Sequence, residues 1–279
     1  MWKIYDGTWK ALWVSRAVGS RSVGQWFSGQ KKLTAVGLTC LCFLMLTGAG
    51  CKQGQQSPGL KAQEKRTVRI VTFGNSITEG VRDGVNSTQT YTYYLGKILK
   101  EKGFQVEIIR KGVSGEDTRG ALRRMEQDVI REKPGCVTIM YGTNDAFIDV
   151  QEDEADTTPR VPVERYEKNL QRMVQTLKQN NIKPLLMTSI PMGNFGLSHL
   201  GIYKTNGINF KLEEYVEAVR RVSIKEKIPL VDHFAGWIKW QERGHDIDAW
   251  MTDGMHPNPK GHRFIAAAIF NVLIKELNK

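Results

Sequence analysis

Three residues of this sequence have types and spacings that could support nucleophilic catalysis. Ser76 directly follows a short β-branched run and a glycine, and Asp253 stands three residues before His256. A serine hydroxyl becomes a good nucleophile only when a base takes its proton, and an imidazole oriented by a carboxylate can be that base. Each residue also has a simpler interpretation when it is read alone. Ser76 would then be a turn or helix-capping residue, Asp253 a turn residue, and His256 a surface or capping histidine.

The elements that must position these residues begin at Thr67, where strand-like and helix-like segments start to alternate. Such alternation predicts βαβ units, and therefore a parallel sheet covered by helices on both faces. There is no internal repeat and no second hydrophobic cluster, so we expect one domain over residues 67–279. The candidate strands are 67–73, 104–110, 136–141, 184–190 and 228–232, and the candidate helices are about 88–102, 118–132, 162–180, 211–226 and 259–278.

Small and polar residues follow the predicted strands, at 112–118, 141–145 and 191–193. In open α/β sheets, ligands bind outside the carboxyl ends of the strands, so this edge is the expected site. A phosphate-binding loop does not fit, because residues 74–80 lack the required glycine spacing and the following lysine. No G-x-G-x-x-G follows the first strand, which weakens an interpretation as a dinucleotide-binding oxidoreductase.

Four sequence blocks, in this order, are similar to the motif blocks of the SGNH (GDSL-like) hydrolase family, and the match spans residues 67–275. The resemblance implies a single three-layer α/β/α domain of flavodoxin-like type with a five-stranded parallel sheet. It also implies a serine esterase with Ser76 as nucleophile, His256 as general base and Asp253 as its orienting acid. The oxyanion hole would use the backbone N–H groups of Ser76 and Gly115 and the side-chain amide of Asn144. The blocks are Gly74-Asn75-Ser76-Ile77-Thr78, Val113-Ser114-Gly115, Gly142-Thr143-Asn144-Asp145 and Asp253-Gly254-Met255-His256-Pro257.

The sequence departs from the family pattern at two positions. Asn75 stands where the family's name implies Asp, and Arg110 stands about where some members place an Asn. Asn75 neighbours the predicted nucleophile without belonging to the triad, so the predicted chemistry is unaffected. Arg110 bears only on the hydrogen bonds around the site.

The remaining polar candidates are assigned structural roles. His233 is predicted to make a structural hydrogen bond, His245 to lie in a loop and His262 on a helix, while Asp145 is predicted to hold the turn after Asn144. Cys136 lies in an apolar run and is interpreted as a small buried residue. No His, Cys, Asp or Glu cluster has metal-ligand spacing, so the sequence predicts neither a metal nor a cofactor.

Two loops are expected to set substrate specificity, at 146–162 and 192–209. The second loop contains Phe195, His199 and Tyr203, which could contact a sugar or a short acyl chain. We therefore expect short acyl esters, with acetyl groups on a polysaccharide as the specific prediction. A lysophospholipase or thioesterase-type hydrolase is the alternative enzyme, and a non-catalytic surface carbohydrate-binding protein is the alternative of another class.

The N-terminal segment has the order of a secretory signal. Lys31-Lys32 precedes an uncharged apolar run from Leu33 to Thr47, and small residues lead to Cys51. The run is shorter than the roughly 20 apolar residues of a transmembrane helix. Cys51 resembles the lipidated cysteine of bacterial lipoproteins, although Gly48 stands where such signals usually have Leu. We expect a leader at 1–51, a polar linker at 52–66, and a cell-envelope, periplasmic or extracellular location.

The formal net charge of +11 is concentrated in the leader and linker. Residues 1–66 contain ten Lys or Arg against two Asp or Glu, which leaves 30 basic and 27 acidic residues for residues 67–279. A nearly neutral domain lacks the basic footprint of a nucleic-acid-binding protein. The expected partner is therefore a small-molecule or polysaccharide ester, and the composition leaves the oligomeric state open.

Overall fold

Five parallel strands form the sheet that carries the predicted site. A computed structural model describes residues 67–149, 158–194, 198–199 and 201–277. The strand order is β2-β1-β3-β4-β5, with every neighbouring pair parallel. The predicted five-stranded parallel sheet is thus confirmed. The strands are β1 (Val68–Gly74), β2 (Val106–Gly112), β3 (Cys136–Met140), β4 (Lys183–Met187) and β5 (Leu230–Val231).

The central strands are apolar runs because both of their faces are covered. Every residue of β3 is buried, as are the last five of β1. Alternate side chains of β1 enter different cores, Ile70 on one face and Val71 and Phe73 on the other. Burial on both faces shows that the sheet is the middle layer of a three-layer domain.

Helices cover both faces of the sheet. Buried side chains of α2 and α9 pack in the core with Ile70, and those of α3, α5 and α7 pack in the core with Val71. In the part of the chain that the structure describes, no helix is both long and apolar enough to cross a membrane. The helices are α1 (Ser76–Glu79), α2 (Tyr91–Glu101), α3 (Thr118–Met125), α4 (Thr143–Ala146), α5 (Val163–Gln179), α6 (Gly201–Asn206), α7 (Phe210–Glu226), α8 (His233–Gln241) and α9 (Pro259–Leu277).

Several helical segments differ from the sequence prediction, which did not include the short helices α1, α4 and α6. Helix α6 lies within the segment 192–209, which was expected to be a loop. The helix predicted over 118–132 ends as an α-helix at Met125 and continues as a π-helical turn, Glu126–Ile130. Helix α8 was not predicted, because Gly236 and several aromatic residues weaken its helical pattern. Its start is nevertheless capped by Asp232, whose carboxylate accepts the N–H of Ala235 at 3.0 Å.

Candidate active site

Ser76 opens α1 immediately after the end of β1. Gly74 permits this tight turn, because a Cβ at that position would lie 2.1 Å from the Thr78 hydroxyl oxygen. Asn75 caps α1 through its side-chain oxygen, which accepts the N–H of Ile77 at 3.1 Å. Asn and Asp are equally good capping residues. The departure from the family's Asp therefore preserves the local structure around Ser76.

The structure brings Ser76, His256 and Asp253 together in one chain of hydrogen bonds. Ser76 Oγ lies 2.9 Å from His256 Nε2, and His256 Nδ1 lies 2.7 Å from Asp253 Oδ2. The other carboxylate oxygen of Asp253 accepts the backbone N–H groups of Met255 and His256, at 3.0 and 2.9 Å. This is the arrangement of a nucleophile, its base and an orienting acid.

The protonation states of the pair suit base catalysis. Burial lowers the pKa of His256 below its ordinary value, and the nearby Arg82 lowers it further, against the opposing effect of Asp253. Burial alone would raise the pKa of Asp253, but hydrogen bonds from the His256 ring and from backbone N–H groups keep it below the ordinary value. At neutral pH, His256 is therefore neutral and Asp253 is ionised.

The two other predicted oxyanion-hole residues lie at the ends of strands that flank β1. Gly115 follows β2 with φ +73°, and apart from its two chain neighbours no described residue has an atom within 4 Å of where its Cβ would be. Asn144 lies in α4 after β3, and its Nδ2 donates to the Glu116 carbonyl at 2.9 Å. An amide nitrogen carries two hydrogens, so one donor remains for a substrate. The three predicted donors thus come from adjacent strand ends at the switch point of the sheet order.

Asp145 connects the Asn144 turn to the start of α3. It is buried, and its Oδ1 accepts the backbone N–H of Thr118 at 2.9 Å and the Thr118 hydroxyl at 2.5 Å. Burial raises the pKa of Asp145 to about 6. The predicted role in the turn is thus confirmed, and the structure adds that Asp145 fixes this turn against the segment that follows Gly115.

Hydrogen bonds that the sequence did not predict connect the loop after β4 to the segment that contains Asp253. The N–H of Gly193 donates to the Gly254 carbonyl at 2.7 Å, and Asn194 donates two hydrogen bonds to the Asp248 carboxylate, at 2.9 and 3.0 Å. A Cβ on Gly193 would lie 1.7 Å from Asp248 Oδ1. No sequence motif signals these contacts, because they join residues that are at least 54 positions apart in the chain.

The sequence model of the GDSL-like Lipase/Acylhydrolase family matches residues 72–264, more than half of the chain. The chain belongs to the GDSL-like lipase/acylhydrolase family. It is therefore a hydrolase that acts on ester bonds, as the sequence predicted.

Relatives of this GDSL-like hydrolase include proteins that are named as esterases. The uncharacterized lipoprotein YqeF of Bacillus subtilis is 29% identical over 217 residues, which cover 72% of this chain and 87% of that protein. The isoamyl acetate-hydrolyzing esterase 1 homolog of Rattus norvegicus is 27% identical over 223 residues, covering 75% and 83%. The crystal structure of the acetyl xylan esterase AlAXEase matches with a TM-score of 0.59 at 27% identity, covering 73% of this chain and 98% of that one.

The three residues that were predicted to contact the substrate of this GDSL-like hydrolase lie in the segment 192–209, and they differ in burial and in what the structure describes. Tyr203 is 2% exposed, and its hydroxyl accepts the N–H of Ile148 at 2.9 Å. The predicted contact of Tyr203 with substrate is therefore wrong, because its ring is buried and its hydroxyl is engaged with the backbone. His199 is exposed in a turn before α6, where its contact with substrate stays a prediction. Phe195 lies outside the described residues.

The other predictions for this GDSL-like hydrolase concern side chains with structural roles. His233 is buried, and neither ring nitrogen has a hydrogen-bond partner among the residues that the structure describes, so the predicted structural hydrogen bond is wrong. Its burial lowers its pKa to about 4, which keeps the ring neutral. His262 lies on α9, as predicted, and accepts the N–H at the start of α2. His245 lies in a turn and stacks on Trp240, and Cys136 is buried in β3, where burial raises its pKa to about 12.

Proposed function

We propose that this enzyme removes short acyl groups, specifically acetyl groups from a carbohydrate, through an acyl-enzyme on Ser76. The observation that carries the proposal is the 2.9 Å contact between Ser76 Oγ and His256 Nε2, with Asp253 held on the opposite ring nitrogen. Two relatives support the acyl group, since one is named for hydrolysis of isoamyl acetate and the other is an acetyl xylan esterase. Esters of acetic acid are the chemistry that these two share.

In the proposed first half-reaction, His256 Nε2 takes the proton of Ser76 while Oγ attacks the ester carbonyl carbon. The negative charge that develops on the carbonyl oxygen is stabilised by the N–H groups of Ser76 and Gly115 and by the Asn144 amide. Each such donor is worth about 3–4 kcal/mol in comparable acyl transfer. His256 then protonates the leaving alcohol oxygen, the ester bond breaks, and the acyl group remains on Ser76.

The second half-reaction repeats these steps with water. His256 takes a proton from a water molecule, whose oxygen attacks the acyl carbon, and the same donors stabilise the second oxyanion. The proton returns to Ser76 Oγ as the acid leaves. Asp253 stabilises the imidazolium in both halves without accepting a proton itself.

Replacement of the proposed nucleophile tests the reaction class. We expect Ser76→Ala to lower kcat/KM for p-nitrophenyl acetate by about 10⁴-fold or more. Circular dichroism should show an unchanged fold, because Ser76 is a small residue and the change removes only its hydroxyl, which lies within hydrogen-bond distance of His256. A fluorophosphonate should label the wild type and not the variant. Undiminished turnover in Ser76→Ala would refute the assignment, and an unreactive wild type would favour the non-catalytic carbohydrate-binding alternative.

A series of acyl chain lengths tests the substrate class. We expect hydrolysis of p-nitrophenyl esters to be fastest for acetate and to fall with chain length, with acetate released from acetylated xylan. Ser76→Ala is the matched control in each assay. Activity that rises with chain length would instead support the lysophospholipase or thioesterase alternative.

We also propose that the hydrolase domain, residues 67–279, is exported and held at the membrane surface. The leader at 1–51 would be removed, a lipid on Cys51 would anchor the chain, and the polar segment 52–66 would connect the anchor to the domain. A relative in Bacillus subtilis is a lipoprotein, which supports this arrangement.

A further inference from the structure

A partly buried ion-pair network joins the strand ends that carry the predicted oxyanion donors, and Arg124 is at its centre. Arg124 lies near the end of α3 with its side chain 16% exposed. Its Nε lies 2.9 and 2.8 Å from the two carboxylate oxygens of Glu116, and its Nη2 lies 2.5 Å from one of them. Its Nη1 donates to Asp128 at 2.9 Å. The two carboxylates thus hold the guanidinium in a fixed plane.

The same guanidinium reaches the backbone at the ends of two strands. Its Nη2 lies 3.2 Å from the carbonyl oxygen of Gly74 and 3.0 Å from that of Lys111. It also lies 2.8 Å from the hydroxyl of Tyr141, the residue after β3. The guanidinium carbon lies 4.3 Å from the centroid of the Phe73 ring, so the guanidinium packs against this ring in addition to making its hydrogen bonds. Arg124 therefore joins the carboxyl ends of β1, β2 and β3.

Each predicted oxyanion donor lies a short distance along the chain from a contact of Arg124. Gly74 is two residues before Ser76, and Glu116 directly follows Gly115. The Glu116 carbonyl accepts the side-chain amide of Asn144 at 2.9 Å. The Tyr141 hydroxyl reinforces the arrangement, since it lies 3.2 Å from the Gly74 carbonyl and 2.8 Å from the Glu116 carboxylate.

We infer that Arg124 is a positioning residue that sets the relative placement of the three oxyanion donors. This inference rests on the proposed function, in which these donors stabilise the tetrahedral intermediate. Donors of this kind are effective because they are already in place when the charge develops. A planar guanidinium can serve carboxylate and carbonyl acceptors at once, whereas a lysine ammonium is a point charge on a flexible stem.

The inference predicts a particular kinetic signature. Contacts that improve in the transition state change kcat, and contacts made equally to the bound substrate change KM. Loss of Arg124 should therefore lower kcat and leave KM for a small ester unchanged. A purely structural role would lower stability while the folded enzyme kept its kcat.

The test compares Arg124→Ala and Arg124→Lys with Arg123→Ala, which removes the same charge from an exposed neighbouring position. For p-nitrophenyl acetate we expect kcat of both Arg124 variants to fall by about tenfold or more. This loss is smaller than the roughly 10²- to 10³-fold loss that follows removal of a whole oxyanion-hole donor. A boronic acid that forms a tetrahedral adduct with Ser76 should bind more weakly by a similar factor. Methylguanidinium should restore part of the kcat of Arg124→Ala, and Arg123→Ala should resemble the wild type.

Two results would overturn the inference alone, with the wild type active and Ser76→Ala inactive. One is a folded Arg124 variant with wild-type kcat, and the other is a lower kcat with unchanged boronate affinity and no rescue. If the Arg124 variants do not fold, Tyr141→Phe is the second test, since it removes only the hydroxyl that reinforces Gly74 and Glu116. A wild-type kcat in folded Tyr141→Phe would then count against the inference. A wild type without ester turnover would overturn the proposed function as well.

Discussion

Arg82 lies beside Asp253, the acid of the proposed triad, and its charge acts on His256, the proposed base. Its Nη1 is 3.5 Å from Asp253 Oδ2, and its positive charge lowers the pKa of His256. Asp253 acts on His256 in the opposite direction, and Glu79 is the other carboxylate whose charge acts on Arg82. Arg82 therefore influences the pH at which His256 becomes able to accept a proton.

Removal of this charge should shift the acid limb of the pH profile. The active form carries a neutral His256, so kcat/KM rises with pH through the pKa of this residue. Without the neighbouring cation, protonation of His256 becomes easier, and Arg82→Gln should move the acid limb of kcat/KM to higher pH. Profiles measured from pH 4.5 to 8.5 would check this, with Arg165→Gln on α5 as a control for loss of one exposed charge. Superimposable profiles, or a shift to lower pH, would contradict it.

At the scale of elements, the junction between α3 and α4 depends on one buried carboxylate. Asp145 accepts two hydrogen bonds from Thr118, and Asn169 of α5 donates to the Thr118 hydroxyl at 2.9 Å. The second carboxylate oxygen of Asp145 has no partner among the described residues. Burial therefore favours the protonated form of Asp145 and raises its pKa to about 6.

Asp145 should make the domain more stable at mildly acid pH. Because its pKa is about 6 in the folded protein and near 3.8 in the unfolded chain, the folded state binds more protons between these values. The stability contributed by this group therefore falls as pH rises through this window, by on the order of 1–3 kcal/mol. Asp145→Asn should lack this pH-dependent contribution. Its free energy of unfolding, relative to that of the wild type, should therefore be lowest near pH 4 and should recover toward pH 7.

Urea unfolding at several pH values would measure this difference. Asp149→Asn is a control of opposite sign, because a hydrogen bond from Arg160 lowers the pKa of Asp149 and its stabilising contribution is lost as pH falls. The prediction would be refuted if the difference in unfolding free energy between wild type and Asp145→Asn were the same at pH 4 and pH 7.

Strand positions and the residues of the predicted triad could be derived from the sequence, because apolar runs and short motifs are local signals. The Arg124 network could not, since it joins residues up to 50 positions apart through side-chain contacts. Tyr203 was misassigned for a related reason. An aromatic residue in a polar loop suggests a substrate contact, but the segment forms α6 and its tyrosine is buried. The π-helical turn at Glu126–Ile130 also lacks a distinctive pattern.

At the scale of the whole molecule, the charge distribution separates the N-terminal segment from the enzyme. The basic excess lies mostly in residues 1–66, while the domain that carries the proposed site is nearly neutral. A lipid on Cys51 would add an apolar anchor of about 0.8 kcal/mol per buried methylene group. Membrane attachment would then depend on Cys51 and not on the surface of the hydrolase domain.

Replacement of Cys51 should release the enzyme without changing its chemistry. In a bacterial host that processes lipoproteins, Cys51→Ala should move ester-hydrolysing activity from the membrane fraction to the soluble fraction, and labelling with a radioactive fatty acid should disappear. A protein of residues 67–279 should retain wild-type kcat and KM. Cys136→Ala is the control for loss of a thiol within the domain. Persistent membrane attachment of Cys51→Ala would contradict the proposed anchor.

The hydrogen bond between Ser76 and His256 joins residues that are 180 positions apart in the chain. A second long-range contact, from the N–H of Tyr91 to His262, docks the beginning of α9 at the start of α2. With Ser76 as the proposed nucleophile and His256 as its base, a nascent chain would carry its nucleophile early and would lack its base until the last segment had been synthesised and docked. The enzyme would then be inactive during synthesis, and the appearance of ester hydrolysis during refolding would report the contact between the two ends of the domain.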